Sequence, residues 1–325
     1  MNTIKAKIAV AFAGSVPGVE SAPHEMVAYD GQQNHPLLPR VMDTFRFNKD
    51  LFMTLGLSWN REWSRSETDA RRGVWIGGPK GAGKTTAPEQ FFARLGVPVL
   101  TLTCNRRVPL SDYISKMVPD GEGGWINQPG PLVIAMQEGY PVVLNEPSAM
   151  DEADLIAMHD IIDRGLLVTD DGTVVKAKRG FLVYAADNTM GYGDESGGYV
   201  GTNVLNSATM RRFFKFEIDY PNEAEEVGIL QARFPNQVKE ALSAFVKFAN
   251  MIRAPYNQRQ SQVTMSTGEL IEMVEAAVYF DGLSSQGRSP AWFAFNRIMG
   301  GMPPVEMEAA RSSFQACFQI DVSGQ

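Results

Sequence analysis

The stretch Gly78-Pro79-Lys80-Gly81-Ala82-Gly83-Lys84-Thr85 decides how this 325-residue chain is read. It carries glycine at its first, fourth and sixth positions and ends Gly-Lys-Thr, the pattern of a phosphate-binding loop. The apolar run Gly73-Val74-Trp75-Ile76 precedes it and has the length of a buried strand, and residues 85–95 after it suit a helix. Strand, loop and helix in this order are the context the motif requires. Gly78, Gly81 and Gly83 let the backbone bend until several N–H groups point inward as a nest for anions. The start of the following helix adds its partial positive charge. In such a loop Lys84 reaches the outer phosphates of ATP and the Thr85 hydroxyl holds Mg²⁺, while Thr86 widens the polar rim. Pro88 falls early in the helix, where a missing N–H is tolerated.

Composition bounds the partners. With 44% hydrophobic residues the chain can build a sizeable core, and 21% charged residues exclude global disorder. The net charge of −7 argues against a constitutive duplex-binding protein and makes nucleic acid a disfavoured partner. Cys104 and Cys317 lie far apart, and His24, His35 and His159 have no ligand spacing, so neither a disulfide framework nor a metal cluster is expected. The apolar run 8–13 is short, and the alternation of Ile4, Ala6, Ile8 and Val10 with Lys5 and Lys7 suits a strand better than a signal peptide. No run has transmembrane length, and the expectation is a soluble, cytoplasmic protein without membrane partners.

Three regions follow from the pattern: an accessory segment 1–38 rich in Gly and Pro, an α/β nucleotide-binding domain 39–221, and a helical lid domain 222–325. A helix is expected over 42–57. From Arg72 onward, strand candidates at 74–76, 97–103, 142–144, 181–185 and 213–218 alternate with helical stretches, which predicts a parallel sheet covered by helices. Two excursions interrupt it. One, 117–130, is Gly-rich around Trp125; the other, 165–180, places Asp171-Gly172 between strand-like runs, a hairpin pattern. Beyond Pro221, helices are expected over 236–252, 268–280, 291–299 and 304–318.

Three further segments carry candidate chemistry. Tyr140-Pro141-Val142-Val143-Leu144 is an apolar strand that delivers Asn145-Glu146 to its carboxyl end. ATPase sites usually carry Asp-Glu there; Asn145 can still accept a hydrogen bond from a metal-bound water, and Glu146 is the candidate general base. Thr85, Asn145 and Glu146 are thus the candidate magnesium-site residues. At the end of the next strand, Asn188 is placed to orient the attacking water. Arg211 and Arg212 follow a short helical stretch, where an arginine can stabilise the transition-state charge on a neighbouring subunit's nucleotide.

Taken together, the motifs resemble the MoxR-type AAA+ ATPases, in particular the branch of the cobaltochelatase small subunit. The resemblance rests on Gly78 to Thr85, on Gly130-Pro131-Leu132 ahead of Asn145-Glu146, and on Asn188-Thr189-Met190-Gly191-Tyr192-Gly193-Asp194. It continues through Gly197, Gly198, Tyr199 and Gly201 to Arg211-Arg212 and Asp219-Tyr220-Pro221, and covers about residues 39–280. It implies a P-loop AAA+ core with a C-terminal helical lid, ATP and Mg²⁺ as cofactors, and a homo-oligomeric ring, usually a hexamer, with Arg212 at the finger position. It also implies that the two excursions are inserts facing a pore or partner, and that a partner carries a von Willebrand factor A domain. Two departures stand out. Asn145 replaces the family's Asp, and Ser266-Thr267-Gly268 stands where relatives read Ser-Pro-Arg, leaving Arg253 or Arg259 as the nearby arginines. The leading expectation is therefore an ATP-hydrolysing remodelling ring. An ATP-binding scaffold with little hydrolysis, a nucleic-acid motor contacting through Arg106, Arg107, Lys176, Lys178 and Arg179, and a small-molecule kinase are the alternatives.

Overall fold

Two strands open the chain, β1 (Thr3–Lys7) and β2 (Glu25–Tyr29), paired antiparallel with Thr3 opposite Tyr29 and Lys7 opposite Glu25. The computed structural model describes residues 2–193, 204–258 and 260–322. Ile8, expected to continue the first strand, instead starts a one-turn helix, Ile8–Ala11, which buries Ile8. Phe12, just after it, is fully buried against Phe47, Phe52 and Phe91.

Helix α1 spans Lys49–Ser64 rather than the expected 42–57. Its start is set by Asn48, whose side chain accepts hydrogen bonds from the backbone N–H groups of Asp50 and Leu51 at 3.0 and 3.1 Å. Leu51, Phe52, Leu55 and Trp59 form its buried face. At its far end Arg179 donates to the carbonyls of Glu62, Trp63 and Arg65, so a residue considered above as a nucleic-acid contact serves as a helix cap.

The sheet follows. β3 (Val74–Gly77) leads through the glycine loop into α2 (Thr86–Arg94) and β4 (Leu100–Thr103). The hairpin β5 (Ser115–Pro119) and β6 (Trp125–Pro129) is the first excursion, and α3 (Pro131–Glu138) and β7 (Val142–Asn145) return the chain to the sheet. β8 (Leu166–Val168) and β9 (Val174–Lys176) form the second hairpin, before β10 (Val183–Asp187), the short α4 (Ser207–Met210) and β11 (Phe214–Glu217). β11, β3, β10, β7 and β4 lie side by side in that order, all parallel. The β10 residues are all buried, as a strand covered on both faces requires. The two hairpins are tied by a 3.0 Å hydrogen bond from the Asn127 amide to the Asp171 carboxylate.

A buried ion network locks this region. Glu62 on α1 and Arg71 ahead of β3 are paired at 2.5 Å, and neither is more than 3% exposed. Arg71 also donates to the carbonyls of Phe181 and Ala177 at 2.7 and 2.9 Å. Burial pulls the Arg71 guanidinium down to about 10, with Glu62 opposing. The pair ties α1 to the approaches of β3 and β10.

By contacts the chain divides into two compact units. One holds most of the chain up to Ile218; the other holds the loop tip Pro79–Ala82 and the residues from Asp219 onward. In the second unit, α5 (Glu223–Arg233), α6 (Lys239–Asn257), α7 (Thr267–Tyr279), α8 (Pro290–Ile298) and α9 (Pro304–Phe318) enclose a core around Phe248, Trp292, Phe295 and Phe314. α5 was not anticipated. Its capping box, Asn222 with Glu225, is a start pattern readable in the sequence.

Candidate nucleotide site

Three neighbouring parallel strands end together. β3 runs into Gly78, β7 ends at Asn145-Glu146, and β10 ends at Asp187-Asn188. The register sets Ala186 opposite Asn145 and Asp187 opposite Gly77. Ligands of parallel sheets bind at such carboxyl ends.

The loop has the backbone its glycines allow. Gly78, Gly81 and Gly83 have φ of 148°, 73° and 87°, values that a side chain resists. The Lys84 ammonium, 8% exposed, donates to the Gly78 carbonyl at 2.9 Å and to the Asn188 side-chain oxygen at 3.0 Å. Burial lowers the Lys84 pKa to about 8, against the opposing pull of Asp187 and then of Glu146. The Thr85 hydroxyl donates to the Asn145 side-chain oxygen at 2.9 Å, so two of the three residues expected at a magnesium site meet directly.

Asn188 completes the cluster. Its amide nitrogen donates to a Glu146 carboxylate oxygen at 3.3 Å while its oxygen accepts a hydrogen bond from the Lys84 ammonium at 3.0 Å. A cation on one side and an anion on the other fix this amide orientation. Glu146 itself is exposed and sits in the left-handed region at φ 58°, ψ 50°. For a non-glycine residue that conformation costs roughly 1–3 kcal/mol and is concentrated at functional sites. Its N–H donates to the Ala186 carbonyl at 2.8 Å, which holds the turn against β10.

The donor set fits Mg-ATP: a glycine nest, one buried ammonium, a hydroxyl–amide pair and a carboxylate steered by an amide. Lys84, Thr85, Asn145, Glu146 and Asn188 are brought together. Arg211 and Arg212 are not part of this cluster. Arg212 pairs with Asp163 at 2.9 Å and also donates to the Ala208 carbonyl, whereas Arg211, capping α4, is exposed. Residues 194–203, which include Asp194, Gly197, Gly198, Tyr199 and Gly201 of the motif, and Arg259 lie outside the described residues.

In the second unit Arg253 is committed elsewhere. It is 3% exposed, makes two hydrogen bonds to Glu226 at 2.7 and 2.8 Å, and donates to the Met265 carbonyl at 2.6 Å. The Tyr220 hydroxyl donates to the Lys80 carbonyl at 2.9 Å, and Ser266 lies against Gly81. Phe45, an apolar position of the expected 42–57 segment, brings its ring edge to 4.0 Å from where a side chain on Gly83 would begin. One feature escaped the sequence reading: Asp187, wholly buried beside the cluster.

Comparison with known proteins agrees with this geometry. The profile of the AAA domain (dynein-related subfamily) matches residues 73–213. The chain contains an AAA+ domain of this subfamily. It is 27% identical over 262 residues to the aerobic cobaltochelatase subunit CobS of a Sinorhizobium species, covering 77% of this chain and 76% of that protein. It is 31% identical over 183 residues to the denitrification regulatory protein NirQ of Stutzerimonas stutzeri, covering 55% of this chain but 63% of NirQ, less than two thirds of its length. These relatives are MoxR-type AAA+ ATPases, the family the motifs resemble. A variant of RuvB from Thermotoga maritima superimposes with a TM-score of 0.50 at 14% identity, over 80% of this chain and 72% of RuvB, a likeness of fold alone. The matched residues hold the glycine loop and β3, β4, β7 and β10 of the parallel sheet; the helices beyond Pro221 lie outside them.

Proposed function

We propose that this chain is an ATPase subunit of a homo-oligomeric ring, a hexamer by family habit, that couples ATP binding and hydrolysis to remodelling of a partner protein or complex. The observation that carries the reading is Asn188, hydrogen-bonded at once to Lys84 and Glu146. Lys84 and the loop N–H groups bind the phosphates, and Thr85 with Asn145 holds the hydrated Mg²⁺, whose contribution is to offset charge on the phosphates. Glu146 takes a proton from the attacking water, and Asn188 keeps that carboxylate aimed. Arg211, exposed and outside the cluster, is the better candidate to reach a neighbouring subunit; Arg212 serves only if it leaves Asp163. The hairpins β5–β6 and β8–β9 expose Met117, Trp125, Val168 and Val174 and offer an apolar surface to the partner, for which a von Willebrand factor A domain protein is the family precedent. No helix among the described residues is long and apolar enough to cross a membrane, and a cytoplasmic setting belongs to this proposal.

A second reading, an ATP-binding scaffold with weak hydrolysis, is favoured by Asn145 and by Gly268, each of which withholds a charge. Steady-state phosphate release with Mg-ATP at ring-forming concentrations, against Lys84→Ala, separates the two. Turnover above that background supports the ATPase. ATP binding without turnover, alone and with candidate partners, overturns it in favour of the scaffold. Mass photometry that finds only monomers with ATP would sink the ring.

A further inference from the structure

Asp187 ends β10, one residue before Asn188, and is 0% exposed. Its carboxylate accepts four hydrogen bonds, all from neutral donors. One oxygen takes the Ser148 hydroxyl at 2.6 Å and the Ser148 N–H at 3.4 Å; the other takes the Thr189 hydroxyl at 2.9 Å and the Thr189 N–H at 3.2 Å. Ser148 lies two residues past Glu146, and Thr189 lies one past Asn188. A single buried carboxylate therefore fastens both turns that carry the reacting groups.

No lysine or arginine among the described residues forms an ion pair with it within 4 Å. It acts electrostatically on Lys84, more strongly than Glu146 does. A neutral side chain of the same shape would fill the pocket without the desolvation that a carboxylate suffers there. The charge therefore calls for a use, and the strand beside it lacks one: Asn145, opposite Ala186, is uncharged where Thr85 meets it.

We propose that Asp187 is a positioning residue of the nucleotide site, which supplies from β10 the negative charge that Asn145 does not supply from β7 and holds the Glu146 and Asn188 turns in register. The inference rests on the reading of the site as one for Mg-ATP. It does not require that hydrolysis be fast, because its first readout is binding.

The test is a charge exchange between neighbouring strands, read as the Mg²⁺ concentration that half-saturates the magnesium-dependent part of fluorescent ATP-analogue binding. Asp187→Asn raises that concentration by about tenfold, and adding Asn145→Asp in the same chain brings it back to within about threefold, as expected when two sites share one electrostatic task. Asp187→Asn that leaves the magnesium half-point within twofold of wild type overturns the proposal. So does a loss in a folded protein that Asn145→Asp fails to reverse, which would mark the clamp as structural only. If Asp187→Asn does not fold, Asn145→Asp alone decides. A gain in magnesium affinity below about threefold supports a charge already supplied by Asp187, and a gain of tenfold or more refutes it. Failure of the underlying reading looks different: wild type would bind the analogue with no magnesium dependence, or not at all. Where turnover is measurable at saturating Mg²⁺, kcat falls in Asp187→Asn and recovers in the double variant.

Discussion

Nucleotide binding should carry a proton with it, and Lys84 is the reason. Burial brings this ammonium from 10.5 down to about 8 in the nucleotide-free protein. Phosphate charge beside it favours the protonated form and moves it back up. At pH 8 about half of the Lys84 side chains are neutral, so binding takes up about half a proton; the uptake falls to about a tenth at pH 7 and rises to about nine tenths at pH 9. Calorimetric titration of a non-hydrolysable ATP analogue with Mg²⁺, in pairs of buffers of different ionisation heat, measures this number directly. Lys84→Arg keeps a cation but removes the titration, so its binding heat should be independent of buffer. The sign extends to stability. Between about 8 and 10.5 the unfolded chain holds more protons at this position than the folded one, so the stability of the nucleotide-free protein rises with pH across that window; bound nucleotide removes this dependence. Uptake near zero at pH 8, or equal uptake in Lys84→Arg, would refute the account of Lys84.

The remaining predictions concern single side chains. Glu146→Gln should lower turnover by about 100-fold or more while leaving ATP affinity within a few fold, as measured by phosphate release and analogue binding. Arg211→Ala should abolish turnover only in assembled protein and should poison mixed rings; Arg212→Ala, losing a partly exposed pair with Asp163, should shift stability by no more than about 1 kcal/mol in thermal melts. Glu62→Ala leaves Arg71 buried without its partner and should cost about 3–5 kcal/mol in urea titrations with an unchanged denaturant slope. Gly268→Arg has room, since a side chain starting there meets only the Ser266 hydroxyl at 3.7 Å, and should tighten ATP binding by about tenfold if the missing lid charge limits affinity.

What the sequence disclosed was whatever is written locally. The glycine loop, the apolar β7 run and the Asp171-Gly172 turn each specify their backbone within a few residues, and the sheet and the β8–β9 hairpin followed from them, whereas the residues of 117–130 showed only a Gly-rich excursion. The start of α1 was misplaced because apolar spacing reaches back to Phe45, whereas the helix begins where Asn48 caps it. The meeting of Lys84, Asn188 and Glu146 could be expected from motif order, but not its hydrogen bonds. The clamp at Asp187 was out of reach. It joins residues 148, 187 and 189 only through the register of β7 and β10, and an Asp-Asn pair in sequence reads equally well as a turn. Arg253 and Arg179 carry the same lesson from the other side. Each is a candidate ligand contact by charge, and each proves to be spent on carbonyls or on a buried carboxylate.

The opening segment has a practical consequence for anyone shortening the chain. Its composition invites a cut at residue 39, yet the Trp59 indole N–H donates to the Val27 carbonyl at 2.7 Å, the Tyr29 hydroxyl to the Gly139 carbonyl at 2.8 Å, and the Tyr29 N–H to the Leu95 carbonyl at 2.9 Å. Phe12 plugs the aromatic cluster of Phe47, Phe52 and Phe91. A fragment trimmed there would expose these rings and strand those polar atoms, so insolubility on truncation would report a broken keystone rather than a misassigned nucleotide site.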